Sequence, residues 1–590
     1  MPAHAPILLA LALAVGATSA LPAAAGAPFV PSAATSVPSM PSAAASAPPA
    51  PRIATITIPG DPRFVAIARD VLLVQTALSP DFSAQSGLID DAIRVPSFAP
   101  ARVAELTRRL HADRAALRAL PWRRWSTDEQ IDVRWVYANV QRLDRELNVE
   151  RLYLHRPGAW LETLANNYIA ILTYAPGRTD ALAGITAQVP AMVAEMARLC
   201  RPTGTDARVA LGLLDGIVAA LEAKPVPGAD AAIAALAGYR PRLETVQGET
   251  SFAVIGATNY AWRLRHAELL PWSPAQLLAL AQGELRDVDG EIATLAPQLP
   301  PPAPLPAALE DAAVHLDQAA LLVLYDAIQA DYRATIASAG FVTIPTGTGA
   351  IRARVTPDAM VPLTGDGGSM NPPPPFIGDP TGWWNVEHFD PAQPLAEREE
   401  IVRRAAQFRQ NGMGPYAAHE GMPGHFLQLS VARLNADPLR SLFQDAVQNE
   451  GWALYAEQEM WEQGGLGRSV AAHHSMLQGW RFRIRRVVYD VNVETGAWTL
   501  QQAADYRAQA AAGSVRPDAE ILRAINWPAQ LICYFAGKEQ ILALKADYRR
   551  KMGAAYSERR FNDELLALGS VPYVFARARM LGEPVPGFDL

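Results

Sequence analysis

The chain has 590 residues, half of them apolar and 19% charged, with a formal net charge of −7. This describes a globular protein with a large core, and an acidic balance without a long Lys/Arg block excludes nucleic acid as the principal partner. Two cysteines, Cys200 and Cys533, permit one bridge or two buried thiols, but neither a disulfide framework nor a cysteine-rich zinc site.

The apolar run ILLALALAVGA (7–17) and the small residues of ATSALPAAAGA (17–27) form the core and cleavage zone of a secretory signal. Cleavage is expected near Ala20 or Ala25, giving a 1–25 signal and an exported, periplasmic or extracellular protein. The leading MPAHAP lacks the usual Lys or Arg, and no cysteine near the cleavage zone invites lipid attachment. The run is too short to span a bilayer, so no stable membrane insertion is expected after its removal. Residues 26–52 are almost wholly Ala, Pro and Ser. They cannot bury enough apolar surface to offset their ordering entropy and read as a disordered linker.

Helical periodicity dominates 53–338, the first part of the expected catalytic domain. ARVAELTRRLHADRAALRAL (101–120) alternates apolar residues with Arg and Asp at three- and four-residue intervals. Ser126 with Glu129 predicts a capped helix start, and Ser273 followed by Pro274 predicts another. The second part, 339–590, opens on β-prone runs broken by Gly and Pro (339–392), then returns to helix. The fold expected is mainly α, with a small sheet or irregular insert beside the site. WWNVEHF (383–389) either lines a cleft there or packs in the core.

HEGMPGH (419–425) and QDAVQNEGWALYAEQEMW (444–461) carry the chemistry. A catalytic zinc takes three protein ligands, usually His and Glu, and keeps a position open for water, whose proton passes to a nearby carboxylate. The common H-E-x-x-H places both histidines on one helical face. Six residues advance a helix by about 600°, leaving His425 about 120° round from His419, against about 40° for a four-residue spacing. Pro423 removes an N–H and clashes with the carbonyl of His419, and Gly424 admits unusual conformations. A helix broken near Pro423 would return His425 toward His419. In the second segment Glu450 and Glu457 share a stripe of an apolar helix, where a carboxylate is costly unless paired or bound to a cation. Glu450 is the expected third ligand. Glu457 is either a partner of a ligand histidine or an ordinary solvated charge.

NEGWALYAE resembles the N-E-G-F-A segment that supplies the glutamate ligand of aminopeptidase N-type zinc peptidases. With HEGMPGH, it resembles the bacterial domain of unknown function 885 family, grouped with gluzincin-like metallopeptidases, whose motifs are H-E-x-x-P-G-H and E-G-W-A-L-Y-x-E. The likeness runs from about residue 60 to the end, through weaker matches at RLRHAELLPWSPAQLLALAQGEL and NWPAQLICYFAGKEQILAL. It implies a zincin-like body, one Zn2+ per chain held by His419, His425 and Glu450, and Glu420 as general base. Many relatives carry D-T-G-x-H where this chain reads YDVNVETG, so Glu494 stands in place of a histidine.

Such a site also takes a donor for the developing oxyanion. Tyr534 is assigned that role, against a purely structural one, with Gln530 and Lys538 four residues either side of it. His388 precedes the motif and is a further cleft-lining residue to test, while His473 and His474 read as surface histidines. The reading is an exported zinc peptidase acting on short peptides or other small amides. A zinc hydrolase of a non-peptide amide or ester and a non-catalytic periplasmic binding protein are the alternatives, and the oligomeric state is left open.

Overall fold

The computed structural model describes residues 51–248, 252–301, 304–510 and 517–589. The expected signal and all but the end of the expected linker lie outside the described residues. The rest is mainly helical, with one small mixed sheet. Local chemistry sets the helix starts. Ser126 accepts the Glu129 N–H while the Glu129 carboxylate accepts from Ser126, opening the helix Thr127–Arg145. Ser273 and Gln276 do the same for Pro274–Leu295, with Pro274 in its first turn.

One continuous apolar core runs from Ile53 to Val585, so the segments before and after residue 339 are built on shared packing. Cys200 and Cys533 are both buried and unpaired with each other. No described helix is long and apolar enough to cross a membrane.

The insert contains three strands: β1 (Ile351–Val355), β2 (Ser369–Asn371) and β3 (Gly382–Val386). β3 lies between the others, parallel to β1 and antiparallel to β2. Side chains alternate across such a sheet. Trp384 is buried against Tyr325 and Tyr416, ring centroids 4.9 and 6.1 Å away, whereas Trp383 lies under Arg354. Gly382 meets the ring of Phe426, where an added Cβ would stand 2.6 Å from its carbons. Close backbone approach at this glycine seats the sheet directly on the helices bearing the HEGMPGH motif.

Candidate metal centre

HEGMPGH is split between two helices. The histidine helix Met413–Glu420 stops at Glu420, and the return helix His425–Arg433 begins at His425. The helix thus ends before Pro423, because Gly421 already yields to a side chain from elsewhere. Gln329, on the helix Gln318–Ala339, donates to Ala417 O (3.2 Å) and accepts from the Met422 N–H (3.1 Å). A Cβ on Gly421 would overlap that amide, and one on Gly424 would overlap the carbonyls of Ala418 and His419. Gly424 N–H closes the turn onto Ala418 O at 2.8 Å. Trp452, in the glutamate helix Ala446–Glu462, donates from Nε1 to Pro423 O at 2.9 Å. The two sequence motifs are therefore tied together by a buried indole, and the Met422–Pro423 peptide is cis.

The break returns His425 to His419. Their rings lie 4.8 Å apart and nearly perpendicular, and Nε2 of each faces Glu450 Oε2, at 3.5 Å from His419 and 3.4 Å from His425. The three donor atoms lie within 4.8 Å of one another, and this is the one such group of His, Cys, Asp and Glu among the described residues. Glu450 Oε2 is buried and has no hydrogen-bond partner. That is a costly state for a carboxylate oxygen in a protein interior. Two imidazoles and a carboxylate with an orphaned oxygen match the donor chemistry of a divalent cation site.

Electrostatics favour positive charge at this point. Glu457 Oε1 sits 2.8 Å from His419 Nδ1, which keeps a proton on Nδ1 and leaves Nε2 facing Glu450. Burial pulls the His419 ring down, but Glu450 and Glu457 outweigh it and raise the ring to about 9. Burial likewise pushes the Glu450 carboxyl up, yet the two histidines hold it well below the usual carboxylate range. Arg483 Nη2 lies 3.7 Å from the same Glu457 oxygen. Glu420, the last residue of the histidine helix, is 8% exposed, and its carboxylate has no hydrogen-bond partner among the described residues.

Tyr534 joins this group through helix packing. The tyrosine helix Cys533–Met552 crosses the glutamate helix at Gly451 and Gly537, where a Cβ on either glycine would overlap backbone of the other helix. That contact lays the Tyr534 ring over His419, centroids 6.1 Å apart and 18° from parallel. Gln530 precedes the helix and accepts Arg523 Nη2 at 2.9 Å, so it is not on a helical face with Tyr534. Lys538 turns away: its Nζ lies 3.8 Å over the Trp480 ring, and burial pulls the ammonium down to about 8.

His388 and Glu494 are not brought to the three donors. His388 is paired at the surface with Asp366 and Asp358, at 2.9 and 3.0 Å. Glu494 is fully buried, with Oε1 3.6 Å from Arg156 Nη2 and Oε2 accepting the Ile255 N–H. Helical register takes its carboxylate to the side facing Arg156. His473, 3.3 Å from Glu291, stacks on Trp461.

Sequence reasoning missed Gln329, Arg483 and Arg523. Each acts across a tertiary contact, and nothing in its neighbourhood along the chain marks it. A cavity of about 380 Å³ lies alongside, lined in part by Ala446, Gln530 and Cys533 and by Glu146, Glu150 and Arg263. Ala446 is one turn before Glu450 on the same helix, but His419, Glu420, His425 and Glu450 are not part of the lining.

Residues 80–580 match the family described as "Bacterial protein of unknown function (DUF885)". None of the curated proteins compared with the chain matches it. Among solved structures, a candidate lipoprotein of unknown function from Shewanella oneidensis superposes with a TM-score of 0.68 at 18% identity, covering 88% of this chain and 99% of that one. A candidate lipoprotein from Colwellia psychrerythraea gives a TM-score of 0.67 at 16% identity over the same shares. At identities this low, the superpositions establish a shared fold alone.

Proposed function

The chain belongs to the bacterial family of unknown function DUF885, and on that footing we propose that it is an exported, zinc-dependent hydrolase of short peptides. One observation carries the reading: the buried, partnerless Glu450 Oε2 facing Nε2 of both His419 and His425. These three residues would hold the zinc, which supplies a Lewis acid and a bound water of lowered pKa.

The protein's own groups do the rest. Glu420, adjacent to His419 and without a partner, takes the proton of the attacking water and passes it to the departing amine. Glu457 keeps His419 in the tautomer with its lone pair on Nε2. Tyr534 donates to the oxyanion that develops on the substrate carbonyl. The peptide assignment rests on the likeness of NEGWALYAE to the aminopeptidase N-type segment. It also rests on β2, an edge strand whose main chain offers pairing to an extended peptide. Export rests on the signal pattern of residues 7–27, and the lipoprotein descriptions of the two structural neighbours accord with it.

Metal content and hydrolysis of a mixed di- to decapeptide pool, measured for wild type and Glu420→Gln, test the proposal. The expected result is stoichiometric zinc in both, with turnover by wild type and a loss of about 10²- to 10⁴-fold in the variant. Protein that takes up no zinc would sink the site. Zinc-loaded wild type that leaves every peptide intact but cleaves small amides or esters would move the substrate to the non-peptide class.

A further inference from the structure

Tyr534 is 2% exposed, and its hydroxyl oxygen accepts a hydrogen bond from Arg523 Nη2 at 3.1 Å. A guanidinium only donates, so the phenol must act as acceptor in this contact. Its own proton has no acceptor among the described residues. Buried hydroxyl donors are ordinarily satisfied, so an unused one beside a group of metal-type donors points to a ligand oxygen.

The surroundings leave the phenol little freedom. Its ring is held between His419, stacked at 6.1 Å, and the guanidinium of Arg486, 4.8 Å from its centroid. Arg486 is itself fixed by two hydrogen bonds to Glu520, at 2.9 and 3.0 Å. Glu520 and Arg523 both belong to the helix Pro517–Asn526. One face of that helix thus sets the ring through Arg486 and the hydroxyl through Arg523. Arg523 has no carboxylate within ion-pair distance among the described residues, and its Nε is buried without a partner. The same Nη2 donates to Gln530 Oε1 at 2.9 Å, which holds the guanidinium against the phenol.

We infer that Arg523 is a positioning residue. By donating into Tyr534 Oη it occupies the oxygen and directs the hydroxyl proton to the oxyanion of the substrate. The inference rests on the hydrolase reading above. Arg523 touches neither substrate nor donor set and acts through Tyr534, with Gln530 keeping it in register.

The test uses the zinc-loaded full chain as wild type, Arg523→Met, Arg523→Lys, Tyr534→Phe and the double variant Arg523→Met/Tyr534→Phe. Zinc content and melting temperature are checked first. Then kcat and KM are measured on a cleaved peptide, and affinity on a phosphinic peptide whose tetrahedral oxygens mimic the oxyanion. Tyr534→Phe is expected to lower kcat about 100-fold with KM little changed. Arg523→Met should lower it about tenfold, a partial loss of the same donor. Arg523→Lys, still able to donate to the phenol, should recover most of that loss. The double variant should be no worse than Tyr534→Phe, and phosphinate affinity should fall in step with kcat. Wild-type kcat and phosphinate affinity in Arg523→Met, or losses that multiply in the double variant, would overturn the inference while leaving the hydrolase reading intact. A zinc-loaded wild type that neither cleaves peptides nor binds the phosphinate would overturn both. Should Arg523→Met fail to fold, Arg523→Ala, which also lacks a donor, carries the same comparison.

Discussion

Glu450 and Glu494 are both carboxylates held in the interior, one facing two histidine nitrogens and the other a guanidinium. Around Glu494 the cation is built in: Arg156, 1% exposed, lies 3.6 Å from it and 3.5 Å from Asp206, and donates to Ala253 O. Around Glu450 the chain supplies two imidazoles instead. Glu457 Oε1 holds His419 at Nδ1, so that Nε2 of this ring, like Nε2 of His425, faces Glu450 Oε2. One cluster is closed around a guanidinium, which can only donate, whereas the other gathers two imidazoles and a carboxylate, the donor types of a divalent cation site. Burial and charge density alone do not separate the two, because both clusters contain strongly perturbed acids. The separating property is the partner: a guanidinium can only donate, whereas an imidazole can also ligate a metal.

Removing the carboxylate from each cluster, or the cation from the closed one, breaks this contrast in different ways. The largest effect is expected for Glu450→Ala: with one of three donors gone, equilibrium dialysis should find no retained zinc, and peptide turnover should be lost. Arg156→Met should leave zinc content unchanged. It should cost about 3 kcal/mol of folding stability, read as a lower denaturant midpoint, because Glu494 and Asp206 lose their cation. Equal losses of zinc in both variants would erase the distinction. Glu457→Gln keeps all three donors but weakens the hold on His419. Competition with a chelator should show zinc affinity reduced about 10- to 100-fold.

The smallest effect concerns pH. Burial pushes the Glu494 carboxyl up to about 8, despite Arg156, against about 4.3 in an unfolded chain. Between those values the folded state binds more protons than the unfolded one, so stability falls as pH rises. The contribution is fully present below the unfolded value and is lost as pH climbs through about 8. Glu494→Gln should therefore melt at nearly the wild-type temperature in mild acid and above it in mild alkali. Parallel melting curves for the two proteins would show that Glu494 is ionised throughout.

Several features of the centre were legible from sequence because they depend on neighbours along the chain. Pro423 between His419 and His425 marks a helix break, and the two helices on either side of it bring both rings to Glu450. Helical periodicity puts Glu457, seven residues after Glu450, on the same stripe, and of its two open readings the contact with His419 selects the histidine partner. The capped starts at Ser126 and Ser273 were equally local.

What was not legible depends on contacts between distant segments. Gln329 enters the break from a helix some ninety residues upstream, and an unremarkable glutamine in a helical pattern gives no sign of it. The environment of Glu494 is decided by Arg156, which sequence position could not reveal. Gln530 and Lys538 looked like neighbours of Tyr534 on a continuous helix. The helix begins only at Cys533, and Lys538 is drawn to Trp480 instead.

The crossing of Gly451 and Gly537 has a practical meaning for how such a centre changes over time. Gly451 follows Glu450 directly, and Gly537 is three residues beyond Tyr534. The gap between the carboxylate and the phenol is therefore gauged by two backbones in contact, with no side chain as a spacer. Replacing the group at 450 or 534 re-equips the workbench without moving its jaws. A single methyl at either glycine would reset the gauge for every tool mounted on it.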